Sequence, residues 1–413
     1  MTRVRAGRSV HWAVACLLIL ACRAPVATTW EPTVPDEQCA GASDVTETVF
    51  LIGDVGAPKL PKEGTDPHTD RVLGAMRGEV DAAVVDLGRD HVAVLFLGDN
   101  IYPTGLVPRP GKERTRGERV LQAQIAAAGE ARAIFTAGNH DWGLRGAKGF
   151  DRVAAQQAFL SHQGPRVQML PAGGCGGPEL VDFGPHLRIV FIDVIGFGHA
   201  EFYTDVHARA CPDEPNPIVS YRRFTRLLDE TSGKHVVLST HHPLITAGPH
   251  GGHYTWKQHI FPLTDFWPWA WLPLPIIGSA YPLSRQLGVT TTDVVNADYT
   301  AYVNAIYRAA TPRAPVLVAA GHEHSLQVHR DAVGMFYAVS GAGSTKKVDR
   351  VAPMDSLLMA EAKPGYMRLD VHAKGALELE VIAVEHEGTR SAFQGCIAHG
   401  PATDYIEPAW QDR

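Results

Sequence analysis

Five short blocks end apolar runs with oxygen and nitrogen donors, and together they could hold a pair of metal ions. Phe50-Leu51-Ile52-Gly53-Asp54 ends in a carboxylate, and Leu97-Gly98-Asp99-Asn100-Ile101-Tyr102 in a carboxylate and a phenol. Thr136-Ala137-Gly138-Asn139-His140-Asp141 brings an amide, an imidazole and a carboxylate. Ser239-Thr240-His241-His242-Pro243 and Ala320-Gly321-His322-Glu323-His324 bring imidazoles. Gly-Asp pairs are common in turns, and a lone strand-end histidine is ordinarily a satisfied polar residue, so no block decides alone. The weight lies in five of them, each marked by Gly or Pro and each closing a run of buried character.

The donors sort by charge. Asp54, Asp99, Tyr102 and His324 offer three anionic oxygens and a nitrogen, a hard set that suits ferric iron. Asn139, His241 and His322, with the second oxygen of Asp99, make a softer set for a divalent ion such as iron, zinc or manganese. Two ions about 3.5–4 Å apart can clamp an in-line displacement at phosphorus and lower the pKa of a bound water to about 7. Attack by a metal-bound hydroxide is the chemistry this set would perform.

Such donors must be carried by a scaffold that brings strand ends together. Runs at 49–52, 92–97, 133–136, 187–194, 235–239, 316–320 and 335–339 read as buried strands. Between them lie amphipathic stretches at 69–86, 116–129, 151–161, 221–231 and 298–309, a βαβ succession with helices packed on sheet. In open α/β sheets ligands bind beyond the carboxyl ends of the strands, where these donors sit. Segments 367–371 and 376–382 read as a hairpin near the end. One catalytic domain over 45–385 is expected, with 386–413 as a C-terminal tail.

The chain has 413 residues, 45% hydrophobic and 20% charged, with a formal net charge of −6. That is an ordinary globular composition, and its scattered Lys and Arg give no nucleic-acid footprint. Residues 1–21 read as a signal peptide: Arg3, Arg5 and Arg8 precede an apolar stretch at 12–20 that is too short to span a bilayer. Ile19-Leu20-Ala21-Cys22 resembles the lipobox of bacterial lipoproteins, which would make Cys22 the lipidated mature N-terminus in the cell envelope, periplasmic or at the surface. Cleavage after Ala24 or Ala27 is the other processing route. Residues 22–44, rich in Pro, Thr and Ala, read as a tether. Export leaves Cys39, Cys175, Cys211 and Cys396 as disulfide candidates, free buried thiols being the alternative. Of the three pairings open, Cys175 with Cys211 and Cys39 with Cys396 is preferred.

The order Gly-Asp, Gly-Asp-Asn-x-Tyr, Gly-Asn-His-Asp, His-x-Pro, Gly-His-x-His resembles the calcineurin-like metallophosphoesterases. Tyr102, three residues after Asp99, narrows the resemblance to the purple acid phosphatases, and the small tartrate-resistant type fits best. The match covers most of 48–345. It implies a four-layer α/β/β/α sandwich, a binuclear Fe(III)–M(II) centre on the seven donors named above, and hydrolysis of phosphomonoesters of small molecules. A phosphodiesterase or pyrophosphatase on the same site, or a lipid-anchored phosphate-binding surface protein without catalysis, are the alternatives. The resemblance makes His140 a non-ligand histidine acting on phosphate or leaving group, and His250 the second such histidine. A solvated loop histidine is the plainer reading of His250. His242 stands where relatives carry another residue type.

One stretch departs from that pattern. Residues 261–296 are inserted, and 261–282 is aromatic, apolar and broken by Pro262, Pro268, Pro273, Pro275 and Pro282, which excludes a continuous transmembrane helix. It could pack its tryptophans on the body, act as a lid over the substrate pocket, or face a membrane surface.

Overall fold

The computed structural model describes residues 29–30, 39, 44–60, 70–144, 148–195, 210–214, 216–230, 233–265, 267, 269–290, 293–311, 317–343 and 348–402. The expected leader, Cys22 and most of the tether lie outside the described residues, as do Phe266 and Pro268 of the insertion.

Fifteen strands are described. They are β1 (Thr29–Trp30), β2 (Val45–Ile52), β3 (Val92–Phe96), β4 (Arg132–Phe135), β5 (Val167–Met169), β6 (Glu179–Phe183), β7 (Leu187–Phe191) and β8 (His235–Ser239). β9 (Leu317–Ala320), β10 (Leu326–Arg330), β11 (Phe336–Ser340), β12 (Leu357–Glu361), β13 (Gly365–His372), β14 (Leu377–Val384) and β15 (Thr389–Ala398) complete them. They form one sheet ordered β15-β14-β13-β2-β3-β4-β5 and another ordered β1-β12-β10-β11-β9-β8-β7-β6. Strands β2 to β5 run parallel, as do β7, β8, β9 and β11, while the remaining pairings are antiparallel.

Side chains alternate across a strand, and that period of two builds the layers. In β2, Val49 and Leu51 enter a core shared with Leu187, Ile189, Val237 and Ala319 of the other sheet. Phe50 and Ile52 point the other way, against Val72, Met76 and Val80 of the helix Arg71–Leu87. That helix starts at Asp70, whose carboxylate accepts from the Val72 and Leu73 amides at 3.0 and 3.2 Å and so caps two otherwise unpaired donors. On the far side, Phe224 of the helix Pro217–Asp229 and Tyr302 and Ile306 of the helix Ala297–Ala310 cover Val190, Leu238 and Val318. The result is the α/β/β/α sandwich that the resemblance implied.

Two boundaries differ from the sequence reading. The stretch expected as a tail after 385 contributes β15, an edge strand paired with β14. Its exposure alternates along its length, so it never presents the continuous apolar run by which the inner strands are recognised. Thr29 and Trp30, inside the expected tether, pair with Glu361 and Ala360 of β12. Both preferred disulfides are present, Cys39–Cys396 and Cys175–Cys211. The insertion folds into short turns, Pro262–Asp265 and Ile277–Ser279, and a helix Ala280–Gln286. Its indoles stay largely exposed, Trp267, Trp269 and Trp271 at 53%, 79% and 54%, with Trp271 meeting the helix before the insertion through Lys257 Nζ, 3.9 Å over its ring. Among the described residues no helix is long and apolar enough to cross a membrane.

Candidate metal centre

The parallel strands deliver the donors from both sheets. Asp54 follows β2, Asp99 and Tyr102 follow β3, and Asn139 and His140 follow β4, all from one sheet. His241 follows β8 and His322 and His324 follow β9, from the other. The chain must turn sharply as each strand ends. Asp54, Asp99 and His322 all hold positive φ, at 61°, 54° and 69°. Non-glycine residues pay for that backbone region and keep it where surrounding structure enforces it, commonly at functional sites.

Three donor atoms converge first. The Tyr102 hydroxyl donates to Asp54 Oδ1 at 2.9 Å and lies 3.1 Å from His324 Nε2, which is 3.3 Å from the same Asp54 oxygen. Beside them, His241 Nε2 is 3.0 Å from Asn139 Oδ1 and 3.4 Å from Asp99 Oδ1. Ligand atoms on bonds of about 2.1 Å meeting at right angles are about 3 Å apart, so this spacing fits cation coordination. Ligand atoms of Asp54, Asp99 and His241 lie within 4.8 Å of one another, and so do those of His241, His242 and His322. The seven expected donors are therefore brought to one place. His242, whose role was open, joins them, its ring 4.3 Å from that of His322.

The imidazoles are fixed from behind. His241 Nδ1 donates to the Leu97 carbonyl at 2.7 Å, which leaves the Nε2 lone pair for a cation, the usual support of a ligating histidine. His140 Nδ1 donates to the Pro103 carbonyl at 2.6 Å, and its Nε2 stands 3.8 Å from Asp99 Oδ2. His324 Nδ1 lies 3.6 Å from Asp349 Oδ2.

Charge is poised for a cation. Burial opposes ionisation of Asp54, yet the bond from His324 and the charges of His241 and His324 hold it below the usual carboxylate range. Burial, and then the charges of Asp54 and Asp99, keep the Tyr102 phenol well above its ordinary range. Only added positive charge would free its proton. Burial works against charge on His324, but Asp54, by hydrogen bond and by charge, raises it to about 9. Asp141, buried and not assigned from sequence, organises the blocks: it accepts from the amides of Asn100 at 3.1 Å, Ile101 at 3.2 Å and Gly138 at 2.8 Å. It thereby fastens the Asp99 turn to the Asn139 turn. The donor types, their order along the chain and their convergence fit what the sequence resemblance implied.

His250 arrives on a short turn, its ring 4.0 Å from that of His322, and its amide donates to Glu323 Oε2 at 3.0 Å. Its Nδ1 is 3.0 Å from Asp293 Oδ1 and 2.8 Å from Arg285 Nη2. Arg285 in turn donates from Nε to Asp293 Oδ2 at 2.8 Å. Both partners belong to the insertion, a link that 35 and 43 positions of separation conceal in the sequence. Burial pushes His250 below its ordinary pKa, helped by Arg285 and opposed by Asp293.

No protein-family model and no curated protein matches the chain. Among solved structures, the chain is similar to GAP50, the anchor in the inner membrane complex of Plasmodium, at 12% identity over 88% of this chain and 90% of that one, TM-score 0.49. It is also similar to the purple acid phosphatase PPD1 from seeds of yellow lupin, Lupinus luteus, at 12% identity over 87% and 55%, TM-score 0.48. A putative 5'-nucleotidase from Staphylococcus aureus follows at 10% identity over 88% and 56%, TM-score 0.37. The chain spans little more than half the length of the last two. What the protein can do is carried by its own donors.

Proposed function

We propose that the protein is an exported metal-dependent acid phosphatase that hydrolyses phosphomonoesters of small molecules at a binuclear Fe(III)–M(II) centre, with iron, zinc or manganese as M. The observation that carries this is the Tyr102 phenol, 2.9 Å from Asp54 Oδ1 and 3.1 Å from His324 Nε2. A phenol completes an oxygen-rich set suited to a ferric ion, and Asn139, His241 and His322 complete a softer one. Bound ions would supply Lewis-acid charge at the phosphoryl oxygens and make a water acidic enough to attack near neutral pH.

The chain's own part is placement and proton handling. Asp99, fixed through the His140 amide at 2.9 Å, offers one oxygen to each half of the site. His140 stands at the opening, a quarter exposed. With Nδ1 committed to Pro103, its Nε2 is the nitrogen that can give a proton to a leaving alkoxide or bond a phosphoryl oxygen. Purified protein should turn over p-nitrophenyl phosphate in preference to bis-p-nitrophenyl phosphate, and elemental analysis should find iron. Preference for the diester would move the assignment to a phosphodiesterase. Phosphate binding without turnover would make the protein a receptor.

The same proposal makes residues 1–21 a lipoprotein leader, Cys22 the lipidated N-terminus, and 22–44 the link to the cell-envelope membrane. Two disulfides support an oxidising compartment. Mass spectrometry of the N-terminal peptide from a membrane fraction tests this, and an unmodified terminus beyond Cys22 would refute it.

A further inference from the structure

The insertion does more than border the site. It lies between the His241-x-Pro243 block and the His322-x-His324 block and supplies no proposed metal donor, yet two of its side chains close on His250. We propose that Asp293 and Arg285 are positioning residues that clamp His250 by Nδ1 and so present Nε2 to the substrate, a proposal that rests on the phosphoesterase reading of the site.

The geometry is specific. Asp293 has no exposed side-chain surface, and Arg285 binds both of its oxygens, Nε to Oδ2 at 2.8 Å and Nη2 to Oδ1. A guanidinium spread across a carboxylate in this way fixes the plane of the acid. The remaining lone pair of Oδ1 faces His250 Nδ1 at 3.0 Å. Arg285 Nη2, which gives one hydrogen to Oδ1, also stands 2.8 Å from Nδ1; in the proposed clamp the carboxylate takes the Nδ1 proton, and the ring tautomer is what the test reads. Backbone reinforces the clamp: the Val294 amide donates to the His250 carbonyl at 2.9 Å, one residue beyond Asp293. The ring edge bearing Nε2 is then left for a ligand, beside His322. His140 and His241 are held in the same way, each by Nδ1 on an acceptor, so a third histidine at the site shares their logic. In such an Asp–His pair the acid sets tautomer and orientation and does not itself touch the substrate.

The test uses the full mature chain loaded with zinc, which is diamagnetic, and labelled with 15N-histidine. The His250 ring signals are assigned by their loss in His250→Gln. The proposal expects the wild-type proton on Nδ1, and in Asp293→Asn a shift toward the Nε2–H tautomer with zinc content unchanged. On p-nitrophenyl phosphate, Asp293→Asn should lower kcat at least tenfold with KM little altered, and should cost nothing further when added to His250→Gln. If Asp293→Asn fails to fold, Arg285→Gln replaces it: the Nδ1 proton should stay on the ring facing Asp293, while kcat should fall only in chains that keep His250. A wild-type Nε2–H tautomer would overturn the proposal, and so would an equal loss of kcat with or without His250. A wild-type protein that hydrolyses no phosphate ester would instead overturn the phosphoesterase reading, while the ring signals still judge the clamp.

Discussion

Gly138 opens the block that carries Asn139 and His140, and replacing it with alanine tests whether the blocks must touch. A Cβ there would lie 2.3 Å from both the amide nitrogen and Oδ1 of Asp99 and 2.9 Å from His241 Cε1. Ordinary contact begins at about 3.4 Å, so roughly 1 Å must be found, and the nearest atoms include backbone that cannot swing aside. Metal sites tolerate donor displacements of about 0.2 Å, several times less than this substitution imposes on Asp99. Overpacking of this kind costs about 1–3 kcal/mol, which a folded chain of this size should survive. Gly138→Ala is therefore expected to yield folded protein that has lost metal. A misplacement near 1 Å also predicts a fall in kcat of about 100-fold. Metal per chain after gel filtration, calorimetric melting and turnover of p-nitrophenyl phosphate measure the three effects. Gly78→Ala is the control: it sits in the helix Arg71–Leu87 with nothing within 4 Å of its would-be Cβ. It should raise stability by about 0.5–1 kcal/mol and leave the metals alone. Full metal content and unchanged kcat in Gly138→Ala would refute the idea that close approach of these turns builds the site.

Tyr102→Phe should bleach any visible absorption band of the iron-loaded protein while circular dichroism stays unchanged, because one oxygen is lost and the ring is kept; a persistent band would exclude the phenolate. His140→Ala should retain both ions and lower kcat by about 10²–10⁴, as for loss of a proton-handling group, with metal content and kinetics measured together. The metal-free protein should be less stable at pH 7.5 than at pH 5. Burial and the charge of Asp99 raise Asp141 to about 7, so its stabilising proton is fully held below about pH 4 and lost as pH climbs through 7. Calorimetry of Asp141→Asn should show that difference shrink; an undiminished difference would place its origin elsewhere.

Much of the scaffold can be read from composition along the strands. The inner strands β2, β3, β4, β7, β8, β9 and β11 each carry an apolar run buried on both faces, such as residues 49–52, 92–96, 133–135, 189–191 and 236–238. β6 and β15 expose every second residue and β10 is rich in polar side chains, so a search for apolar runs passes over them. The donors are legible for a related reason: a Gly followed by Asp, Asn or His ends a buried run abruptly. Asp141 stood in plain view, but its task depends on the amides of a turn 41 positions earlier, which no local pattern reports. Arg285 and Asp293 are harder still, since salt-bridged residues on an irregular insertion carry neither period nor punctuation.

The donors come from the ends of strands in two different sheets, so ions seated on them would act as a rivet through the middle of the sandwich. Neither layer alone offers a complete set: one holds the carboxylates, the phenol and the Asn139 amide, the other the imidazoles His241, His322 and His324. Whatever binds there binds the assembled layers and not the separated ones. Loading at a thousandfold excess over Kd would then add about 4 kcal/mol to the cohesion of the whole fold. Slippage of one layer against the other, from heat, denaturant or a distant core substitution, should release metal before either layer unravels. Loss of metal would thus be the earliest sign of strain at the seam.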